Sequence, residues 1–207
     1  MPVPAGGLDD GSLYTDLETV KATLGKSSTD DRDDLINSAI NAACRAIDQR
    51  CGRYFYIDTH ASPRTFRPRG HVVCDGGDTI LSVDDIASAD LTVETGSGIG
   101  TTSWTAVTAY ELGPDNADAR GRPWTRIRGA GAWVPVGGKV RITATWGWPV
   151  VPDEICQAAA LLTARLYRRK DSPQGVVGSS EWGVARVSRF DPDVESLISP
   201  FVIPLVA

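Results

Sequence analysis

The chain has two histidines, His60 and His71, and these limit the acid–base chemistry open to it. A Ser–His–Asp triad would need one of them, yet no GxSxG segment supplies an exposed nucleophile. His71 and Cys74 are potential metal ligands, but no second pair at zinc-site spacing accompanies them. We therefore predict no catalytic, cofactor-binding or metal-binding residues. A small hydrolase that uses one histidine with a carboxylate stays open as an alternative.

Two glycine-containing segments have only part of a phosphate-binding motif. Gly25–Ser27 matches the end of a P-loop, but the glycine required five residues before Gly25 is Val20. Because Gly25 follows a helical pattern, it is predicted to end a helix. Gly96–Gly100 lacks the GxGxxG spacing and is typical of a hairpin loop.

Acidic and aromatic clusters also have structural explanations. Clustered carboxylates can bind a cation weakly, but turn formation explains the clustered aspartates without a metal. These aspartates are at positions 84, 85, 90, 115 and 118. Trp146 and Trp148 alternate along one strand and are predicted to be core residues. Trp124 and Trp133 lie close to a basic stretch, and aromatic residues among arginines would suit single-stranded nucleic acid. The arginines of this stretch are Arg120, Arg122, Arg126 and Arg128. The net charge of −5 makes that a minor alternative.

Helical patterns occur at both ends of the chain. A capping box at Thr15 and Glu18 predicts a first helix that ends at Gly25. A longer helix is predicted from Thr29 and Asp30 to Gly52. Two further helices are expected, one starting at Asp153 and packing on the second, and a short one from Asp191 to Leu197 or Ile198.

The middle of the chain has the two-residue period of strands. The predicted strands, separated by glycine-rich turns, are 54–57, 71–74, 91–95, 109–112, 125–128 and 139–146. The fold class is therefore α+β. It has a helical core of three to four helices (1–53 and 149–170), an inserted β-rich unit (54–148) and an extended C-terminal arm with a short helix (171–207).

The four cysteines contain no CxxC pair. Cys44 and Cys51 are seven residues apart on a predicted helix, which separates their Cα atoms by about 10 Å, too far for a disulfide. All four, including Cys74 and Cys156, are predicted to be buried thiols in a reducing compartment. No membrane span or export signal is expected.

Charge is distributed in blocks along the chain. Residues 75–119 have nine acidic and no basic residues, whereas residues 120–170 have ten basic and two acidic ones. Blocks of opposite sign favour contacts between an acidic face and a neighbour's basic face. The Gly/Ser-containing segment after Lys170 has apolar residues such as Val176 and Trp182, which is typical of a segment that becomes ordered against a partner. The chain is thus predicted to be an assembly component.

Several segments, taken in order, resemble the head-to-tail adaptor (head-tail connector) proteins of long-tailed bacteriophages, especially those of actinobacterial hosts. They are YTDLETVKATLG, AINAACRAIDQRCGRYFY, ITATWGWPVVPDEICQAAALLTARLYRRKDSPQG and GVARVSRFDPDVESLISPF. The resemblance covers nearly the whole chain and is loosest in residues 58–140. It implies a non-enzymatic virion structural protein of the neck, assembled in the host cytoplasm. Other neck proteins, such as head-completion or tail-completion rings, are the alternative.

The resemblance also implies partners. The chain would form a homo-oligomeric ring, a dodecamer in the virion, bound to the portal protein and to the next neck or tail-completion protein. Genomic DNA would pass through the ring without sequence-specific binding. Partner contacts are predicted at Arg168, Arg169, Lys170, Trp182, Arg186, Arg189 and Phe190. The channel is predicted to be lined by acidic residues that repel phosphates, at Asp30, Asp31, Asp33 and Asp34.

Overall fold

The computed structural model describes residues 12–25, 32–98, 100, 103–169 and 191–204. In this part of the chain, four α-helices and two four-stranded antiparallel sheets form an α+β fold, which confirms the predicted class. The chain divides into two compact units. The helical unit comprises residues 1–55 and 151–207, and the β unit comprises residues 56–150.

The first helix, α1 (Leu17–Leu24), begins differently from the prediction. Its N-cap is Asp16, whose carboxylate accepts hydrogen bonds from the backbone N–H of Thr19 at 2.8 Å and from its hydroxyl at 2.9 Å. The capping box at Thr15 and Glu18 was therefore wrong, because an aspartate one residue later supplies the cap. Gly25 ends the helix at φ 66°, as predicted.

Helices α2 (Asp33–Cys51), α3 (Asp153–Arg169) and α4 (Pro192–Ile198) complete the helical unit. The described part of α2 starts at Asp33, whereas the sequence placed its start at Thr29 and Asp30, which lie outside the described residues. Helix α2 packs on α3, as expected. The apolar stripe that its helical spacing predicts is buried, and it consists of Ile36, Ile40, Ala43, Ile47 and Cys51. Asp191 caps α4 and Pro192 is its first residue, so this helix is also confirmed.

Two sheets make up the β unit. One has the order β1-β8-β4-β5 and the other β2-β3-β7-β6, and all neighbours are antiparallel. The strands are β1 (Ser62–Phe66), β2 (Val72–Asp75), β3 (Asp78–Ile86), β4 (Thr92–Gly96), β5 (Thr105–Val107), β6 (Glu111–Gly113), β7 (Trp124–Ala130) and β8 (Lys139–Ala144).

The strand predictions were correct for five of these strands and wrong elsewhere. The predicted strand 54–57 does not form, and only Ile57 pairs, in a single bridge with Gly147. The sequence missed β1, β3 and β5. Asp84 and Asp85, assigned to a turn, lie within β3.

Trp146 and Trp148 are buried, as predicted. The Trp146 indole N–H donates to the Ser62 carbonyl at 2.7 Å, and the Arg64 guanidinium lies 4.4 Å from the centre of its ring. The Trp148 indole N–H donates to the Asp85 carboxylate at 3.1 Å. Each indole is thus both packed and hydrogen-bonded, which is what a buried tryptophan requires.

The cysteines follow the prediction only in part. All four are free thiols, and Cys44 and Cys51 are buried in α2. Burial raises the pKa of Cys51 to about 11. Cys74 is exposed on β2, so its predicted burial was wrong, because it lies on a short strand at the edge of its sheet. Among the described residues no helix is long and apolar enough to cross a membrane.

Candidate partner interface

The C-terminal end of α3 presents two of the predicted partner residues. Arg168 and Arg169 occupy its last turn and are exposed. Within the described part of the chain, neither forms an ion pair. The first turn of the same helix carries Asp153 and Glu154, which are also exposed and have no basic partner among the described residues. Helix α3 therefore has an acidic and a basic end, each matching the macrodipole.

An open groove lies between α1 and α3. Its volume is about 470 Å³, and it is lined by Tyr14, Thr15, Asp16, Thr19, Thr23, Cys156, Gln157, Ala160 and Leu161. The Leu161 side chain is 36% exposed, although it lies in the middle of a packed helix. The α1–α3 groove is a surface that sequence reasoning missed, since the apolar pattern of α3 was assigned to a single buried face.

The predicted channel-facing carboxylates have different environments. Asp33 forms an ion pair with the buried Lys21 of α1, at 2.7 Å between Nζ and Oδ1. Asp34 is exposed and has no ion pair among the described residues. Asp30 and Asp31 lie outside the described residues. Of the two described carboxylates, Asp33 therefore has a structural role. Its partner was not predicted, because no local pattern marks Lys21 as buried.

We expect Asp33→Asn to destabilise the helical unit, because it removes a carboxylate charge 2.7 Å from the buried Lys21 ammonium. The half-exposed position of Asp33 limits the cost to about 1–3 kcal/mol. Urea unfolding followed by circular dichroism measures it. Asp34→Asn is the matched control and should change the free energy of unfolding by less than about 0.5 kcal/mol. Equal effects of the two substitutions would contradict the pairing.

Helix α4 is fastened to the rest of the helical unit. The Arg165 guanidinium donates to the Asp191 carboxylate at 2.8 Å, and Arg50 pairs with Glu195. The Phe201 ring packs edge-to-face on Phe55 at 5.7 Å. Residues 191–204 of the segment assigned to the arm are thus part of the packed unit.

The remaining predicted partner residues belong to the stretch between α3 and α4. Lys170, Trp182, Arg186, Arg189 and Phe190 all lie outside the described residues. The two ends of this stretch are close together, because the Arg165–Asp191 ion pair holds the start of α4 beside the last turns of α3. The stretch 170–190 thus connects two neighbouring positions on the helical unit.

A network of ionisable groups lies beneath the α1–α3 groove. The Tyr14 hydroxyl donates to the Asp48 carboxylate and accepts from the backbone N–H of Phe55 at 2.9 Å. Arg45 pairs with Asp48 at 3.2 Å and donates to the Ser12 carbonyl at 2.9 Å. Burial raises the pKa of Asp48 to about 6, against the opposing effects of the Tyr14 hydrogen bond and Arg45. The network joins the segment before α1 to α2.

The two histidines of the β unit lie on its surface. His60 and His71 are exposed, and the backbone carbonyl of His71 accepts from Ser82 at 2.7 Å. A second open groove, of about 340 Å³, is lined by residues of β3, β6 and β7 and the segment before β6, and by neither histidine. No group of three or more potential metal ligands occurs among the described residues.

The four arginines near Trp124 and Trp133 are exposed, at positions 120, 122, 126 and 128, but the Trp133 ring is engaged. The Trp133 indole N–H donates to the Thr79 carbonyl at 2.8 Å. A side chain at Gly129 would meet the Trp133 ring at 2.5 Å, so that ring lies directly against β7. An indole held in this way offers less of its face for stacking with a base.

No protein-family model and no curated protein sequence matches the chain at a significant level. Three solved structures share its fold. A chain in the neck of the empty gene transfer agent (GTA) particle, computed with C6 symmetry, is 21% identical, with a TM-score of 0.51. The alignment covers 92% of this chain and 90% of that chain.

The other two structures are of the native GTA particle. The match in the virion is 21% identical with a TM-score of 0.50, covering 92% of this chain and 89% of that one. The match in the neck computed with C12 symmetry is 19% identical with a TM-score of 0.51, covering 100% and 98%. At these identities the similarity establishes a shared fold along nearly the whole chain.

Proposed function

We propose that this chain is a virion structural protein of the neck, a head-to-tail adaptor that forms a ring beneath the portal and extends the DNA channel. The observation that carries the proposal is the match of fold, over 92–100% of the chain, to chains from GTA particles, two of them in necks. The sequence resemblance to head-to-tail adaptors supports the same role independently. A head-completion or tail-completion ring is the second candidate, because such rings are also neck proteins.

The proposed role needs no catalysis. Exposed histidines that line neither groove give no support to a hydrolase, and we propose that the chain is not an enzyme. The chain would instead act by binding partners through its surfaces. These are the exposed arginines of α3, the α1–α3 groove and the segment between α3 and α4. We propose that the ring has twelve copies and is assembled in the host cytoplasm.

The deciding experiment measures the mass of the purified protein alone and after mixing with a portal ring. Adaptor function predicts a complex with one copy per portal subunit. If the protein does not bind the portal but binds another neck or tail ring, the second candidate would be favoured. Absence of binding to every neck component at moderate salt would overturn the proposal.

We expect the segment 170–190 to carry much of the affinity for the portal. Replacing it with a Gly/Ser linker of equal length should weaken portal binding by at least about a hundredfold, roughly the loss of one or two interface anchors. Truncation after Lys170 is unsuitable, since it would remove Val194 and Ile198 from the core. Thermal unfolding checks that the linker variant is folded. Unchanged binding would remove the arm, with Trp182 and Phe190, from the proposed interface.

The channel proposal is tested without Asp33, because that carboxylate pairs with Lys21. Neutralising Asp30, Asp31 and Asp34 to asparagine, with Asp33 left intact, should preserve ring assembly and increase the retention of DNA in the particle. The physical reason is lost repulsion between carboxylates and phosphates. DNA release from assembled particles, measured against ionic strength, tests it. An unchanged release profile would place these residues away from the channel.

A further inference from the structure

We propose that the α1–α3 groove and its acidic margin bind the basic end of α3 from a second copy of this chain, head to tail. The proposal rests on the neck function only for its biological setting. Its evidence comes from the groove, from the charges along its edge and from the opposite end of the same helix.

The groove has an apolar floor that the chain itself leaves uncovered. Cys156, Ala160 and Leu161 of α3 form this floor, and Leu161 is more than one-third exposed. The opposite wall is formed by threonines of α1, whose side chains offer both hydroxyls and methyl groups. Such a surface can accommodate the aliphatic part of a long side chain, with its charged head beyond the floor.

We use the term acidic margin for three exposed carboxylates: Asp16, which lines the groove, and Asp153 and Glu154, which lie in the first turn of α3 just before Cys156. Asp16 lines the groove and is held by two hydrogen bonds from Thr19. Asp153 precedes Cys156 and Gln157 by three and four residues, so it shares their face of α3. No basic group within the described parts of the chain pairs with any of the three carboxylates. The margin thus presents negative charge next to an apolar floor.

The complementary charges lie at the other end of the helix. Fifteen residues separate Asp153 from Arg168, which corresponds to about 22 Å along the axis. This exceeds the screening length of about 8 Å at physiological salt, so the two ends do not neutralise each other within one molecule. Each can be neutralised by a neighbouring copy. Because the two surfaces differ, the contact is heterologous and generates a closed ring or an open series.

Charge reversal tests the contact with purified full-length protein. Arg168→Glu with Arg169→Glu makes both surfaces acidic, and Asp153→Lys with Glu154→Lys makes both basic. Each double variant alone should associate at least tenfold more weakly than the natural chain in sedimentation over a concentration series at low salt. An equimolar mixture of the two should recover association, because acidic copies then alternate with basic ones.

Two controls keep the test specific. Arg120→Glu with Arg122→Glu changes the net charge by the same amount on exposed arginines of the β unit, and should leave association unchanged. Asp153→Asn with Glu154→Asn removes charge without reversing it, and must still weaken association if the lysine variant does not fold. A natural chain that stays monomeric throughout, reversal variants that associate normally, or a mixture that gains nothing would each overturn the proposal.

The outcome separates this contact from the neck assignment. Portal binding by the natural chain without recovery in the mixture would refute the head-to-tail contact and leave the neck role intact. Recovery in the mixture without binding to any neck component would establish the contact and refute the neck role.

Discussion

Gly147→Ala should destabilise the β unit by about 3 kcal/mol or more. Gly147 has a φ of 107°, and a Cβ added to it would lie 1.9 Å from the Tyr56 carbonyl oxygen and 3.1 Å from the Ile57 Cα. Both obstacles are backbone atoms, so no side-chain rotation relieves the clash. The bridge between Ile57 and Gly147 would have to separate. Urea unfolding followed by tryptophan fluorescence measures the effect.

Gly70→Ala is the matched control. Gly70 also has a left-handed conformation, with a φ of 82°, but a Cβ there meets nothing within 4 Å. It should cost only the conformational strain, about 1–2 kcal/mol. The difference between the two variants isolates the close approach of the chain at Gly147. Equal costs would mean that the segment at Tyr56 can move away without penalty.

The second large effect is a pH dependence that originates at Asp48. Its pKa in the folded protein is about 6, raised from 3.8 chiefly by burial. In this range the folded state binds more protons than the unfolded state, so the free energy of unfolding falls as the pH rises from about 4 to about 6. The loss is on the order of 3 kcal/mol and is complete above the folded pKa.

Asp48→Asn removes the titration while keeping an acceptor for the Tyr14 hydroxyl. The stability of the natural chain relative to the variant should therefore decrease between pH 4 and pH 7 and then level off. Thermal or urea unfolding at half-unit pH intervals gives both curves. Parallel curves would show that Asp48 titrates equally in the folded and unfolded states, and that its burial has no energetic consequence.

The helices were predictable because their signals are local. Gly25 and Gly52 end α1 and α2 with left-handed conformations, and the apolar stripe of α2 faces α3 as its spacing predicts. Asp191 and Pro192 start α4 in the expected way. In each case a few residues close in sequence determine the conformation, and tertiary packing agrees with them.

The strands were harder because pairing partners override local preference. β3 contains three aspartates, which are typical of turns, yet Asp78 pairs with both β2 and β7. Asp84 and Asp85 lie in an irregular stretch between Ser82 and Ile86, the residues at which the pairing with β7 resumes. Asp85 is buried there because the indole N–H of Trp148 donates to it, a partner 63 residues away. β1 contains Pro63, which is tolerated because β1 is an edge strand. No local sequence pattern predicts the hydrogen bond between Trp148 and Asp85 or the edge position of β1.

The candidate interface was predictable only where it depends on charge. Arg168 and Arg169 stand out in the sequence and are exposed. The α1–α3 groove depends on how two helices meet, and the Lys21–Asp33 pair joins residues of two different helices. Both follow from packing geometry, which the spacing of apolar residues specifies only coarsely.

The order of the elements along the chain has a consequence for biosynthesis. The apolar stripe of α2 is covered by α3, which begins about 100 residues later in the sequence. At a translation rate of about 5–20 residues per second, α2 leaves the ribosome roughly 5–20 s before its partner. The β unit, by contrast, is one continuous stretch and can fold as soon as residue 150 has emerged. A nascent chain stalled just after residue 150 should therefore carry a folded β unit and an α2 whose isoleucines are open to chaperones.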